Sequence, residues 1–308
     1  MVAWRLRRYE GPVAMTSRFT PAQFPYFAQT DPALAILRMA HLLAEMEAEP
    51  DEEALNLLAK QVQVGVLSDT PPSELWPELV CGLMGPAPQK MIQLMRECGA
   101  LAQILPEVAA LFGVPQISDG PSDVDLGEHL LRALAEAARR DAPLTVRFAL
   151  LVMNVGKADS PTEHLSVHYQ HMVRGRPRID ALCERFQTPS ACRNLAFLSL
   201  TECERVHRVS KVRAGPVALM LERLGAFDST GSFQHLMTVC ACDYCAYAGR
   251  SGQAYPKAAL LDIALNACAG IEATGLPLDA SATEAKQTAR AEAIARVFRS
   301  QRWTDELA

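Results

Sequence analysis

The chain has 308 residues, 49% of them hydrophobic, and a formal net charge of −5 at pH 7. This length accommodates one large or two medium domains, and the hydrophobic content favours a compact globular protein. No apolar run approaches the roughly 20 residues that span a bilayer, and the basic N-terminus lacks the apolar segment of a secretion signal, so neither membrane insertion nor export is expected.

Apolar spacing and turn residues predict five helices in the first third of the chain. Asp31 and Pro32 suit the start of the first helix, and Ser73 is the expected N-cap of the third. Gly99 suits the end of the fourth, because glycine readily adopts the left-handed conformation that closes a helix. The predicted ranges are residues 31–47, 51–64, 73–82, 88–98 and 100–112.

The segment from Gly113 to Pro121 contains two Pro and two Gly, so it is the predicted domain boundary. Nine helices are predicted after it, at residues 125–140, 143–155, 163–173, 176–187, 189–206, 215–224, 231–248, 256–273 and 281–300. Strand-favouring residues are scarce, so the predicted fold class is all-α with two helical lobes. We expect a basic extension (1–20), a first helical domain (21–116) and a second (117–308), with translation starting at Met1 or Met15.

Charge is distributed unevenly along the chain. Residues 45–53 carry six acids in nine positions, whereas residues 172–223 carry ten Arg or Lys against five acids. A solvated helix face is the simpler interpretation of each cluster, and a surface that contacts a phosphate backbone is the alternative for the basic one. The candidate RNA contacts in the basic stretch are Arg174, Arg176, Arg178 and Arg208.

Four segments of the first half follow one another in a recognisable order. Phe27–Ala40 is similar to E-D-P-x-R-x-L-R-x-A, and Glu74–Met84 is similar to R-x-W-x-E-L-x-x-G-L-M. Arg96–Leu101 and Leu105–Gln116 complete a pattern that resembles the bacterial tRNA nucleotidyltransferases, the CCA-adding enzymes. With the part that follows, the resemblance covers residues 18–300 and implies the RNA-gripping helical body of that family.

The family resemblance also implies what this chain lacks. In that family a β-containing head, with a glycine-rich turn and a metal-binding carboxylate pair, precedes the matching region, and residues 1–20 contain neither feature. We therefore expect no nucleotide addition by this chain alone, since phosphoryl transfer needs carboxylates to hold the metal ions. Of the two arginines with which the family reads the incoming base, the second corresponds to Arg38 and the first to Ala35. Arg38 is expected either to pair with a neighbouring acid or to keep a nucleotide contact.

The second half resembles HD-type hydrolases, in which a metal held by scattered His and Asp ligands activates water. Val146–Lys157 is similar to V-R-F-A-x-L-x-H-D-L-G-K, but the His-Asp pair is replaced by Met153-Asn154, a soft thioether beside a neutral amide. Cys203 takes the first histidine position of the family's E-H-x-x-x-H motif. The degenerate site comprises His129, Met153, Asn154, His171, His207 and Asp243. We therefore expect no metal-dependent catalysis and no cofactor; magnesium or a transition metal is expected only if the site is functional.

Two further patterns have simple interpretations. The carboxylates of Asp123 and Asp125 have no glycine turn before them, so a capping or loop role is expected. Cys240, Cys242 and Cys245 share one predicted helix, with Cys242 and Cys245 on one face. Zinc bound by these thiols with Cys203 or His207 is one interpretation, and thiols packed in a helical core is the favoured one. Nine cysteines, an odd number, indicate reduced thiols and a cytoplasmic location.

Three functions are compatible with the sequence. The leading hypothesis is a tRNA nucleotidyltransferase-like protein that has lost its chemistry and binds tRNA or another RNA, or regulates a partner. The second is a divergent HD-type phosphohydrolase acting on cyclic phosphodiesters or nucleotides. The third is an accessory subunit for a separately encoded nucleotidyltransferase head. Neither DNA nor a membrane is an expected partner.

Overall fold

The computed structural model describes residues 18–19, 32–46, 49–50, 52–118, 120, 122–209, 213–227, 231–272 and 280–300. The fold is all-α, as predicted, with four two-residue strands among the described residues. The helices are α1 (Pro32–Met46), α2 (Glu52–Gln63), α3 (Pro72–Met84), α4 (Pro88–Glu97), α5 (Ala100–Ile104), α6 (Pro106–Ala109), α7 (Leu126–Arg139), α8 (Leu144–Val152), α9 (His171–Phe186), α10 (Ser190–His207), α11 (Ala214–Arg223), α12 (Ser232–Cys245), α13 (Pro256–Glu272) and α14 (Ala280–Ser300). None of these described helices combines the length and apolar character needed to cross a membrane.

The strands form two small pairs. β1 (Arg18–Phe19) pairs in parallel with β2 (Glu49–Pro50). β3 (Pro115–Gln116) pairs antiparallel with β4 (Val124–Asp125), with Gln116 opposite Val124. The segment predicted as a domain boundary therefore contains a strand that folds back onto the start of α7.

Most predicted helices are confirmed, and the exceptions have local causes. Residues 100–112 form two short helices, because Pro106 cannot donate a backbone hydrogen bond and Leu105 before it leaves the helical region at φ −130°. The predicted N-cap Ser73 is wrong: Pro71 occupies that position and Ser73 lies inside the first turn. Gly99 follows α4 at φ +84°, which confirms its predicted role, and Asp31 lies outside the described residues.

The prediction of a helix at residues 163–173 is wrong. Only a 3₁₀ turn at Thr162–His164 forms there, and α9 begins at His171. Ser166, His168 and Gln170 all have positive φ, a conformation that a right-handed helix cannot contain. The segment instead crosses to β3, where Ile117 N donates to Ser166 O at 3.2 Å.

The two predicted domains pack on each other through a hydrophobic core that runs through the described helices. α3 packs against α8 and α9, and α4 packs against α7. Arg147 on α8 is 2% exposed, and its guanidinium donates at 2.8 Å to Ala142 O, Leu83 O and Gly85 O. This buried cation therefore ties the end of α3 to the second domain.

α7 is positioned by the capping role predicted for Asp125. One carboxylate oxygen accepts from Glu128 N at 2.9 Å, and the other accepts from Gly113 N at 2.5 Å. The carboxylate thus accepts a hydrogen bond from a first-turn backbone amide that has no partner within the helix, and it fixes the angle at which the chain enters α7. One turn further on, this angle directs His129 into the protein interior, where it is 1% exposed.

Candidate functional site

A cavity of about 610 Å³ lies among the elements that carry the HD-like positions. Its walls come from β3, the 3₁₀ turn Val155–Lys157, the start of α9, helices α10 and α12, and the start of α13. The polar and ionisable side chains that line it include Gln116, Asn154, Lys157, His168, His171, Cys203, Glu204, His207, Arg208, Asp243 and Tyr255. The cavity thus collects acids, imidazoles, cations and a thiol in one place.

Asp243 is the central acid of this cavity. Its two carboxylate oxygens accept from His129 Nε2 and from His207 Nε2, each at 3.0 Å. Burial opposes ionisation, but the two imidazoles outweigh it and hold the pKa of Asp243 well below its usual range. Burial likewise lowers the pKa of His207, but Cys203 and Asp243 outweigh it and raise that pKa to about 10. Asp243 and His207 therefore form a buried ion pair at neutral pH.

His207 has two further neighbours that fix its ring. Tyr255 Oη lies 2.7 Å from Nδ1, and Cys203 Sγ lies 3.4 Å from Nε2. Cys203 Sγ is in turn 3.6 Å from Cys240 Sγ. This thiol contact, together with burial, places the pKa of Cys203 well above that of a free thiol, so Cys203 keeps its proton in the ion-free protein.

A buried cation lies on the opposite wall of the cavity. Lys157 is 5% exposed, and its Nζ donates to Gln116 Oε1 at 2.6 Å and lies 3.2 Å from Glu204 Oε1. The same Glu204 oxygen is 3.6 Å from His171 Nε2. Burial and the Lys157 charge both lower the pKa of His171, so its imidazole is neutral at pH 7.

The residues at the HD-like positions do not fit the hard divalent cation that the family resemblance implies. Met153 and Asn154 line the cavity where a His-Asp pair is expected, and a thioether and a neutral amide are poor substitutes for imidazole and carboxylate. His129 and Asp243 are already hydrogen-bonded to each other.

The structure brings some of the predicted site residues together and separates others. His129 and His207 converge on Asp243, whereas His171 lies on the Lys157 wall against Glu204. The sequence identified Lys157 only as the last residue of the HD-like segment, and it did not indicate roles for Gln116, Glu204 and Tyr255. The sequence around Lys157 could have identified it as a site residue, because it ends the HD-like segment. The sequence around Gln116, Glu204 and Tyr255 could not, because the residues they contact are distant in the chain.

The favoured interpretation of the α12 cysteines is confirmed, because Cys240, Cys242 and Cys245 are all buried, but the three thiols face different neighbours. Cys240 faces α10 and contacts Cys203, whereas Cys245 turns away and lies 3.4 Å from the guanidinium of Arg140. Cys242 is fully buried, which raises the pKa of its thiol to about 12. A spacing of three residues places Cys242 and Cys245 on one face, but it cannot tell which face meets α10.

The arginines predicted to contact RNA differ in the ion pairs and hydrogen bonds that they already make within the protein. Arg38 pairs with Glu78 at 2.8 Å, and Arg174 donates to two backbone carbonyls and to a serine hydroxyl. Arg178 pairs with Asp159 and donates to a backbone carbonyl. Arg176 is exposed and stacks on the ring of Phe197, 4.4 Å from its centroid. Arg208 is 73% exposed, and its nearest acid oxygen is 3.8 Å away.

Comparison with known proteins relates this chain to bacterial multifunctional CCA proteins. Residues 50–112 match the family described as "Probable RNA and SrmB- binding site of polymerase A". The multifunctional CCA proteins of Cupriavidus necator and Laribacter hongkongensis are each 37% identical over 77% of this chain. That of Burkholderia lata is 37% identical over 85%. The chain spans 58%, 59% and 65% of the length of these three relatives.

Proposed function

We propose that this chain, a relative of the bacterial multifunctional CCA proteins over 77–85% of its length, binds tRNA or another structured RNA and performs no catalysis at its HD-like cavity. The observation that carries the RNA-binding part is the match of residues 50–112 to a family described by its RNA-binding site. Support for the non-catalytic part comes from Met153 and Asn154, which line the cavity in place of a metal-binding pair.

Charge indicates which surface meets the phosphate backbone. Residues 50–112 contain three basic residues (Lys60, Lys90 and Arg96) and eight acidic ones, so this region is electrostatically unfavourable for phosphate contacts. Arg176 on α9, and Arg205 and Arg208 at the end of α10, are exposed. We therefore assign the electrostatic part of RNA binding to α9 and α10, and shape recognition to the region before them.

Salt-dependent binding tests this assignment. The full chain should shift the anisotropy of a labelled tRNA transcript at about 50 mM salt and release it towards about 200 mM, with log K falling linearly with log salt. Arg208→Ala should weaken binding and reduce the magnitude of that slope by about one, since one phosphate contact is lost. Lys60→Ala, an exposed basic residue on α2, is the matched control and should leave the slope unchanged.

Two outcomes would contradict the proposal. If no tRNA binds at about 50 mM salt, the electrostatic term that dominates such complexes is absent and the RNA-binding part fails. If Lys60→Ala and Arg208→Ala reduce the slope equally, the assignment to α9 and α10 fails. A protein partner and a cytoplasmic location stay predictions.

A divergent phosphohydrolase is the alternative that one observation favours. His129 and His207 still converge on Asp243 beside a cavity of about 610 Å³, within the range of ligand pockets. If this alternative holds, the chain supplied with magnesium or manganese hydrolyses a cyclic dinucleotide or a nucleotide, and His129→Ala abolishes that hydrolysis. Absence of turnover with both metals would exclude it.

A further inference from the structure

We propose that Cys203, His207, Cys240 and Asp243 form a tetrahedral site for a soft divalent cation, with zinc the expected occupant. This site shares the positions of Cys203, His207 and Asp243 with the HD-type centre, but it adds Cys240 from α12 and uses neither the position of Met153-Asn154 nor His129 as a ligand. It also departs from the sequence-based expectation of no cofactor. The inference is independent of the proposed RNA binding, because it concerns a buried structural site.

The distances between the donor atoms match tetrahedral zinc. Cys203 Sγ lies 3.6 Å from Cys240 Sγ and 3.4 Å from His207 Nε2, and these three donor atoms all lie within 4.8 Å of one another. Zinc–sulfur bonds of about 2.3 Å and zinc–nitrogen bonds of about 2.0 Å at tetrahedral angles separate neighbouring donors by about 3.5 to 3.8 Å. Two of the three donor–donor distances therefore already match a zinc site, and the third lies within 4.8 Å.

Asp243 is not among the three residues whose donor atoms already cluster, so its carboxylate has to move to supply the fourth donor. Its Oδ2 is 3.0 Å from His207 Nε2, somewhat shorter than the roughly 3.3 Å expected between oxygen and nitrogen on one zinc ion. Insertion of the ion would replace the hydrogen bond between these two atoms with two metal bonds. His129 then keeps its hydrogen bond to Oδ1 and orients the carboxylate from outside the coordination sphere.

The helices present these donors in pairs at spacings that share a face. Cys203 and His207 are four residues apart on α10, and Cys240 and Asp243 are three apart on α12, so each pair projects from one side of its helix. α10 packs directly against α12, which brings the two pairs together. Three of the four donor atoms, two from α10 and one from α12, are therefore already clustered.

The surroundings select a soft metal and the correct histidine tautomer. Tyr255 Oη, 2.7 Å from His207 Nδ1, accepts the Nδ1 proton and leaves Nε2 free to bind the ion. Cys203, Cys240 and Asp243 are all less than 9% exposed, which is typical of closed structural sites. Thiolate and imidazole donors favour zinc over magnesium.

Metal analysis of the full chain tests the proposal. Protein produced with zinc supplementation, with any affinity tag removed, should contain about one zinc per chain by mass spectrometry. Cobalt substitution should give the intense bands of a tetrahedral centre together with sulfur-to-cobalt charge transfer, a readout that needs no variant. Cys203→Ser with Cys240→Ser should abolish stoichiometric zinc and charge transfer, whereas Cys242→Ser, a fully buried thiol on the same helix, should retain both.

Chelation provides a second measurement. A chelator should lower the unfolding temperature of the zinc-loaded wild type and of Cys242→Ser, and leave that of the double variant unchanged. Wild-type protein without stoichiometric zinc, or cobalt protein without sulfur charge transfer, overturns the proposal even if the double variant fails to fold. Equal zinc loss in Cys242→Ser would also overturn it, because the loss would then reflect general damage to α12.

Discussion

Substituting Gly156 by alanine should disrupt the contact that positions Lys157. Gly156 lies in the 3₁₀ turn after α8, packed against the first turns of α9. A Cβ at this position would lie 2.1 Å from His171 O and 2.5 Å from Gly175 N. Both atoms belong to the backbone, so no side-chain rotation can relieve the clash, and the turn and α9 must separate.

The magnitude follows from this geometry. Carbon atoms in contact normally stay about 3.5 Å or more apart, so the two segments must separate by about 1 Å. Overpacking typically costs about 1–3 kcal/mol, and the upper end applies to a clash between backbones. The shift also strains the hydrogen bond from Arg174 Nε to Gly156 O, now 3.0 Å. We expect a loss of about 3 kcal/mol, equivalent to a fall of about 5 °C in unfolding temperature for a chain of 308 residues.

Urea or thermal unfolding followed by circular dichroism measures this loss. Gly270→Ala is the control, because it should increase the free energy of unfolding. Gly270 is exposed on α13, and a Cβ there meets nothing within 4 Å. Alanine should stabilise that helix by about 0.4–1 kcal/mol, through better helix propensity and a less flexible unfolded chain. A Gly156→Ala variant within about 1 kcal/mol of the wild type would refute the close-packing argument.

Three other substitutions give measurable outcomes. Arg147→Met leaves three backbone carbonyls without their charged hydrogen-bond donor. It should lower the free energy of unfolding, measured in urea, by about 3–5 kcal/mol. A loss under about 1 kcal/mol would contradict this expectation. The Glu78 side chain raises the pKa of His41, so this pair stabilises the fold fully below about pH 6.5 and less as pH rises through the raised pKa. His41→Asn should therefore remove a pH-dependent contribution of about 1 kcal/mol or less from unfolding curves. Lys157→Met should raise the pKa of His171 in an NMR titration, because the nearby ammonium disfavours its protonation, and an unchanged pKa would contradict the contact.

Local signals in the sequence predicted the helical architecture well. The resemblance to CCA-adding enzymes is confirmed by relatives 37% identical over most of the chain. Gly99 ends α4 and Asp125 caps α7 as predicted, because both roles depend only on the residue and its immediate neighbours. The prediction at residues 163–173 failed because contacts with β3 impose the left-handed residues there. His168 Nε2, for example, lies 2.8 Å from Pro115 O.

The sequence by itself supplied the prediction that Met153 and Asn154 replace a metal-binding pair, since that prediction depends on residue identity within a recognisable segment. Only the tertiary structure decided which thiols meet, because Cys203 and Cys240 lie 37 residues apart on two helices. Helical periodicity assigns a residue to a face of its own helix, but the packing of α10 against α12 determines what that face contacts. The same holds for Lys157, whose buried charge is balanced by Glu204 and by Gln116 from a distant strand.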